Sequence, residues 1–502
     1  MQKLKWTLVA FLIAFALVAA ACGGNDDSDE VGDMPDSGEP ADEPAAPADE
    51  PADEPAAPAD EPADEPAAPA DEPADEPAAP AEEEAAPDDS GAEPTPTPTP
   101  VVLTASFRGV TETTIKVGVT VPDFDALHDA GIPNYQGDHG LAFQAFFDKI
   151  NAEGGILGRQ IEPVYATFNF LLPVSQEEAC LKIAEDEEVF IVFQGMLRDA
   201  NLCFPEQYDT LLISERWITT GLQERAGDTV WLQTTAMSEA ATAIMAQVLA
   251  ESGRLDGKTI AIVGNNANTP EQLETLQAVL ADLGFDAQTV MLSAALNDRV
   301  ATDEEVRILA ERFSADGVDF IFEIIGGGTI VQTMADEGYT PEWAHSNLQA
   351  IVDGTDNRAY VNGNVSVSQI PSEAMFENPD FQERCMSVFR EAYPELEPET
   401  AYLPTGDQQA AGEPNWVAPI QRACNQTRLF KAIAELAGAN LTNDSFRQAL
   451  DQLGPFELIG VGQATYNSDS KWDGLDEFYL QTYDYETDSI LIGDESIIID
   501  RN

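Results

Sequence analysis

From Gly23 to Pro100 the chain carries 27 aspartates or glutamates and not one lysine, arginine or aromatic residue. An 11-residue unit, Pro-Ala-Asp-Glu-Pro-Ala-Ala-Pro-Ala-Asp-Glu, starts at Pro40, Pro51 and Pro62, with a degraded copy at Pro73; a Thr-Pro run from Pro94 to Pro100 comes next. Such a tract holds too little apolar surface to offset the entropy of ordering a chain, so its repeats cannot stack into a repeat fold. Proline stiffness and like-charge repulsion keep it extended, at up to about 3.1 Å per residue where it is polyproline II. It reads as a disordered spacer, residues 22–112 in all, which leaves folding to the C-terminal part of the chain.

That part, about residues 113–502, is large for one core and predicts two lobes. Of the chain's 91 acidic residues 64 lie outside the tract, against 22 basic ones once Lys3 and Lys5 are set aside, a net of −42. Binding phosphate needs clustered lysine and arginine, so this balance argues against nucleic acid or anionic lipid as a partner. A surface adapted to a salty medium, or simply kept soluble, accounts for the charge.

The N-terminus sets the compartment. Lys3 and Lys5 precede an uncharged, almost wholly apolar stretch from Leu8 to Ala21. It is too short to span a bilayer as a helix, which takes roughly 20 residues, but it suits the apolar region of an export signal, residues 1–21. It runs through Leu17-Val18-Ala19-Ala20-Ala21 into Cys22-Gly23-Gly24, which resembles the bacterial lipoprotein signal. That resemblance implies lipidation at Cys22 and an anchor on the outer face of the cell membrane, whether cell surface or periplasm. Four further cysteines, Cys180, Cys203, Cys385 and Cys424, are an even number outside the cytoplasm and read as two disulfides. Of the three possible connectivities the local one, Cys180–Cys203 with Cys385–Cys424, is favoured. A zinc site is the rival, but no Cys-x-x-Cys pair and no histidine beside a cysteine supports it.

Periodicity supplies the architecture. Ile115, Val117, Val119 and Val121 alternate with Lys116, Gly118 and Thr120 as in a strand, and Phe143, Phe146, Phe147 and Ile150 recur at helical spacing up to a stop at Gly154 or Gly155. Val189–Phe193, Thr259–Val263 and Val318–Ile325 are continuous apolar runs of the kind buried in parallel sheets. Thr269-Pro270-Glu271-Gln272 predicts a helix start with a threonine cap and a capping-box glutamine, and Leu273, Leu276, Leu280 and Leu283 its buried face. Strand–helix alternation at this spacing means doubly wound parallel sheets, with ligands beyond the carboxyl ends of the strands.

The segment Asn151-Ala152-Glu153-Gly154-Gly155-Ile156-Leu157-Gly158-Arg159-Gln160-Ile161-Glu162-Pro163-Val164-Tyr165 resembles the helix-to-strand signature of branched-chain-amino-acid-type periplasmic binding proteins. The first strand with its Pro122 loop and the order of later elements match as well. The resemblance implies an α/β type I binding fold: two lobes, residues 113–235 plus 370–455 and 236–369 plus 456–502, closing on a ligand. Three crossings are expected near Trp231–Ala236, Asn364–Ile370 and Phe456–Ala464. It also implies a disulfide at Cys180–Cys203, a ligand delivered to an ABC permease complex, no cofactor, no catalysis and a monomer. A ligand-sensing receptor subunit is the alternative, and a surface hydrolase would need a catalytic dyad absent from the sequence.

Carried onto this chain, the ligand positions are Tyr135, Gln136, Met196, Arg198, Arg216, Trp217, Asn268 and Asn347. Amino-acid-binding members hold the carboxylate with small hydroxyl residues after the third strand; here that loop is Gln194-Gly195-Met196-Leu197-Arg198. Arg198 or Arg216 would grip a carboxylate and Trp217 would stack on a flat ligand. Each arginine also has an acidic neighbour, Asp199 and Glu215, that would pair with it instead. His345 reads as an exposed loop residue. Asp469-Ser470-Lys471-Trp472-Asp473-Gly474 lacks the spacing of a calcium loop and reads as a hairpin turn.

Overall fold

The computed structural model describes residues 102–129, 136–215, 218–266, 269–294, 298–396, 414–493 and 495–499. The expected export signal, Cys22 and the whole acidic tract lie outside them. Ile115, Val117 and Val119, all fully buried, make β1 (Thr114–Pro122) the inner strand of the first sheet. It pairs in parallel with β2 (Gln160–Phe168), from Thr114↔Gln160 to Pro122↔Phe168, and on its other side with β3 (Ile191–Gln194). With β4 (Leu211–Ser214) and β5 (Trp231–Gln233) the order is β2-β1-β3-β4-β5. Phe193 shows why β3 is apolar up to Gln194: its ring lies 5.6 Å from Phe143 and Phe147 on helix α1 (His139–Ala152) and 5.5 Å from Phe430 on a later helix, Val417–Ala437.

The second sheet repeats the plan. Strands β6 (Ile260–Asn265), β7 (Ala287–Leu292), β8 (Phe320–Glu323), β9 (Glu342–His345) and β10 (Val365–Ser368) run parallel in the order β7-β6-β8-β9-β10. After the hairpin β11 (Phe456–Leu458) and β12 (Gly462–Ala464), strands β13 (Glu477–Asp484) and β14 (Ser489–Ile492) extend this sheet antiparallel beyond β10. The second sheet is therefore mixed rather than wholly parallel. The chain leaves β5 for helix α2 (Ser238–Glu251), which packs on α3 (Pro270–Asp282) and β10. It returns from β10 to α4 (Val417–Ala437), which packs on α1, β3 and β4, and crosses again through β11–β12 to β13. Two lobes joined by three crossings result.

Several local expectations are corrected. Thr269 does not cap α3 with its side chain. Its hydroxyl instead accepts from the Asn265 amide at 2.8 Å and lies 3.2 Å from the Asn265 carbonyl, closing the turn after β6. Leu273, Leu276 and Leu280 are buried as expected, but Leu283 falls beyond the helix and is 40% exposed. The body also begins before residue 113. Arg159, 1% exposed, donates to the carbonyls of Thr104 (3.0 Å), Thr111 (2.7 Å) and Ala439 (2.8 Å), so the incoming segment is bound to the first lobe. Arg108 reinforces it through the Tyr208 carbonyl at 2.6 Å. Of the glycines of the same motif, Gly155 is required by space: a Cβ there, at φ +75°, would stand 2.0 Å from the Arg159 carbonyl oxygen. The structure joins Cys180 to Cys203 (S–S 1.98 Å) and Cys385 to Cys424 (2.00 Å), all four within first-lobe elements.

Candidate functional site

In a sheet of order 2-1-3-4-5 the direction of winding reverses between β1 and β3, and the crevice beyond their carboxyl ends is where such folds bind ligands. At that place the first lobe gathers buried and half-buried polar side chains from four distant segments. Gln136 enters from the loop before α1, His139 from its first residue, Gln194 from the end of β3 and Glu215 from the end of β4; α4 adds Arg422 and Gln426. Arg422 Nη2 lies 2.5 Å from Glu215 Oε2, each side chain 9% exposed, and Arg422 Nη1 donates to Gln136 Oε1 at 3.2 Å. His139 Nε2 is 3.1 Å from the same Gln136 oxygen. Burial, and then the neighbouring Arg422 cation, holds the His139 pKa well below the ordinary imidazole value, so the ring is neutral.

Three backbone amides at and just after the end of β3 are engaged. The Gln194 amide donates to Gln426 Oε1 (2.9 Å), the Met196 amide to Asn201 Oδ1 (2.6 Å) and the Leu197 amide to Gln176 Oε1 (3.2 Å). Gln194 sits at φ +79°, a left-handed value that a residue with a side chain adopts only when its surroundings impose it.

The second lobe offers a matching group at the ends of β8 and β9. His345 is fully buried, not an exposed loop residue: Nδ1 lies 3.1 Å from Glu323 Oε2 and Nε2 3.1 Å from Asn364 Nδ2. Its ring stacks on Trp343 at 5.5 Å and 14°. The other oxygen of Glu323 accepts from the Gly326 amide at 2.8 Å, which fixes the glycine-rich turn.

Between the lobes the first and third crossings are tied together. The Gln233 amide donates to the Trp472 carbonyl and the Gly474 amide to the Gln233 carbonyl, each at 2.8 Å; the Met237 amide donates to Asp473 Oδ2 at 2.7 Å. The stretch expected as a plain hairpin turn does turn at Asn467–Lys471, but Lys471, Trp472 and Asp473 are buried. Lys471 Nζ meets Asp476 Oδ1 at 3.0 Å.

Of the ligand positions expected from sequence, Tyr135, Arg216, Trp217 and Asn268 lie outside the described residues. Gln136 belongs to the first-lobe cluster. Met196 is buried, and Asn201 holds its amide and its carbonyl. Asn347 caps the helix Leu348–Gly354 by accepting from the Ala350 amide at 3.2 Å. Arg198 opens a 3-10 helix at φ +37°. Glu215 pairs with Arg422, the expected partner Arg216 lying outside the described residues, and the Asp199 carboxylate lies 3.8 Å from Arg225. Sequence reasoning missed His139, Gln194, Glu323 and Arg422. Only Arg422 carried a signal, a charge within the run Val417-Ala418-Pro419-Ile420-Gln421-Arg422-Ala423-Cys424 whose neighbours are mostly apolar.

Among the described residues no group of three or more acidic, histidine or cysteine side chains is placed to hold a metal ion, and no helix is long and apolar enough to cross a membrane. The sequence matches the family model described as periplasmic binding protein over residues 114–474. No curated protein sequence matches it significantly. Among solved structures it is similar to an ABC transporter substrate-binding protein from Desulfitobacterium hafniense in complex with Leu, at 15% identity and TM-score 0.52, covering 76% of this chain and 100% of that one. A solute-binding protein from R. palustris in complex with 4-hydroxybenzoate aligns at 15% identity and TM-score 0.55, covering 78% and 98%. A fatty acid ABC transporter substrate-binding protein from Thermomonospora curvata aligns at 15% and 0.54, covering 79% and 95%. At such identities these likenesses concern the fold.

Proposed function

Because the chain belongs to the periplasmic binding protein family, we propose that it is an extracytoplasmic solute-binding lipoprotein that captures a small polar ligand between its lobes for an ABC permease complex. The observation that carries this reading is the doubled plan: two sheets of the same strand order, each with buried polar side chains at its carboxyl edge. On this reading the lobes, residues 113–235 plus 370–455 and 236–369 plus 456–502, rotate shut about the crossings, and the ligand favours closure by touching both. Gln136, Met196, Arg198 and Asn347, with Tyr135, Arg216, Trp217 and Asn268, surround the ligand. Cys22 carries the lipid, and the acidic tract holds a monomeric body away from the membrane.

The test is native mass spectrometry of the full chain purified without denaturation, paired with small-angle scattering. A bound small molecule at one-to-one stoichiometry, whose removal by dialysis enlarges the radius of gyration, supports capture and closure. A chain that carries nothing, and shows no thermal shift across a broad panel of amino acids, amides, aromatic acids and polyols, refutes it.

A further inference from the structure

A cavity of about 460 Å³, within the size range of small-ligand sites, lies on two of the three crossings. None of the cleft residues described above lines it. Its walls come from three places. Ile370, Asn378 and Asp380 follow the second crossing, on a stretch whose helix Ser372–Glu377 packs on α4 of the first lobe. The third crossing supplies the hairpin β11–β12, and the second lobe supplies Glu477 and Tyr479 from β13. Gly462, at φ +147°, lets the hairpin backbone close on β13: a Cβ there would stand 2.9 Å from Glu477 Cβ.

The lining divides into two chemistries. Leu458 and Val461 are buried and Ile370 and Phe456 half-buried, which makes part of the surface apolar. The charged lining is acidic throughout: Asp380, Glu457 and Glu477, with no lysine, arginine or histidine. Glu457 is paired with Arg384 at 2.6 Å. Glu477 accepts from the Tyr479 hydroxyl (2.9 Å) and the Gln463 amide (3.0 Å), both uncharged. Neither Asp380 nor Glu477 has an ion-pair partner among the described residues. Arg428 lies 5.2 Å from the Phe456 ring centre, held by the Glu457 carbonyl at 3.0 Å, but is not part of the lining. Asn378 Oδ1 is taken by the Asp380 and Phe381 amides, and the uncharged Gln463 side chain does not decide the sign of a ligand. Two carboxylates without a cation, next to apolar surface, repel an anion and give a neutral ligand no charge to match.

We infer that this cavity is a second binding site, for a small organic ammonium. Its N–H groups reach Asp380 and Glu477, and its hydrocarbon or aromatic part covers Ile370 and Phe456. Asp380 stands on the first-lobe side and Glu477 on the second. A ligand held by both therefore has different affinities before and after the lobes rotate, and its occupancy biases closure. That coupling rests on the closure reading above; the site itself does not.

The experiment is calorimetry on the full chain with 2-phenylethylamine, its anionic analogue 3-phenylpropionate and the neutral 2-phenylethanol, in about 0.15 M salt to screen the acidic surface. One saturable site for the amine is expected, about tenfold tighter than for either analogue. Asp380→Asn changes an exposed side chain and is expected to weaken the amine about tenfold while melting with the parent. Glu477→Gln is expected to weaken it as much, and the double variant to lose it. In small-angle scattering the amine is expected to shift the radius of gyration of the parent and not of the double variant. Uptake that does not saturate, an analogue that binds as tightly, no amine binding at all, or an affinity unchanged in the double variant overturns the site. Binding with an unchanged radius overturns the coupling. Capture in the cleft stands or falls separately, on native mass spectrometry of the purified chain.

Discussion

Replacing Lys471 by methionine tests whether the crossings are held by buried charge. The side chain is 3% exposed and that of Asp476 5%, and their charged atoms are 3.0 Å apart. At an effective dielectric of about 20 that separation corresponds to roughly 5 kcal/mol of attraction. The ammonium also donates to the carbonyls of Thr465, Asp473 (2.9 Å) and Gly474 (3.2 Å) and lies 5.8 Å from the Tyr466 ring centre. Asp476 also accepts from the Thr465 hydroxyl at 2.7 Å. Methionine fills the space but leaves a buried carboxylate without its cation, which costs about 3–5 kcal/mol. Set against a total stability of about 5–15 kcal/mol, the loss is large. It is read as the fall in unfolding free energy in urea denaturation. Lys471→Met with Asp476→Leu removes both charges, and because a buried pair exchanged for apolar groups is often near neutral, the double variant is expected to recover most of the loss. A single-variant cost below about 1 kcal/mol, the range of exposed pairs, would refute the claim that this pair is structural.

Three further outcomes are expected. Cys180→Ala with Cys203→Ala opens a link of sequence separation 23 and is expected to lower stability by about 3 kcal/mol on the chain-entropy model, read from urea melts with and without reductant. His139 is held neutral in the folded chain, so below the unfolded value near 6.5 the unfolded state binds a proton that the folded state does not. Stability must then fall on acidification through this group, by about 1 kcal/mol between pH 6.5 and 5.5, and the urea stability of His139→Gln should lack that increment. Truncating the chain to start at Thr113 removes two of the three carbonyls that hold buried Arg159; a loss of about 3 kcal/mol or more in urea unfolding is expected, and an unchanged stability would show that residues 102–112 are not part of the body.

The lobes were legible because their strands and helices each follow one local period. The alternation of Ile115, Val117 and Val119, the fully apolar core of β3 and the Phe143–Ile150 stripe are consequences of which face each element buries, and neighbours in sequence settle that. The site was not, because its members meet only after the chain has crossed between lobes. Arg422 and Gln136 lie 286 residues apart, and nothing near Glu215 says that α4 supplies it a partner. Thr269 failed as a predicted cap for a related reason: a hydroxyl four residues after Asn265 can close the preceding turn as well as cap the following helix, and the tight approach of Gly264 to Thr269 Oγ1 (2.7 Å for a Cβ there) selects the turn. Lys471 inverts the usual rule. Its run of charges looks like a solvated turn, yet the turn is folded inward by Gly474, where a Cβ would strike the Tyr466 hydroxyl at 2.1 Å, and by Asp473 binding the Met237 amide on the other crossing. Local composition therefore reports the solvent a segment would face alone. Which charges end up buried is decided by the crossings, and those are where this chain places Lys471, Asp473 and Asp476.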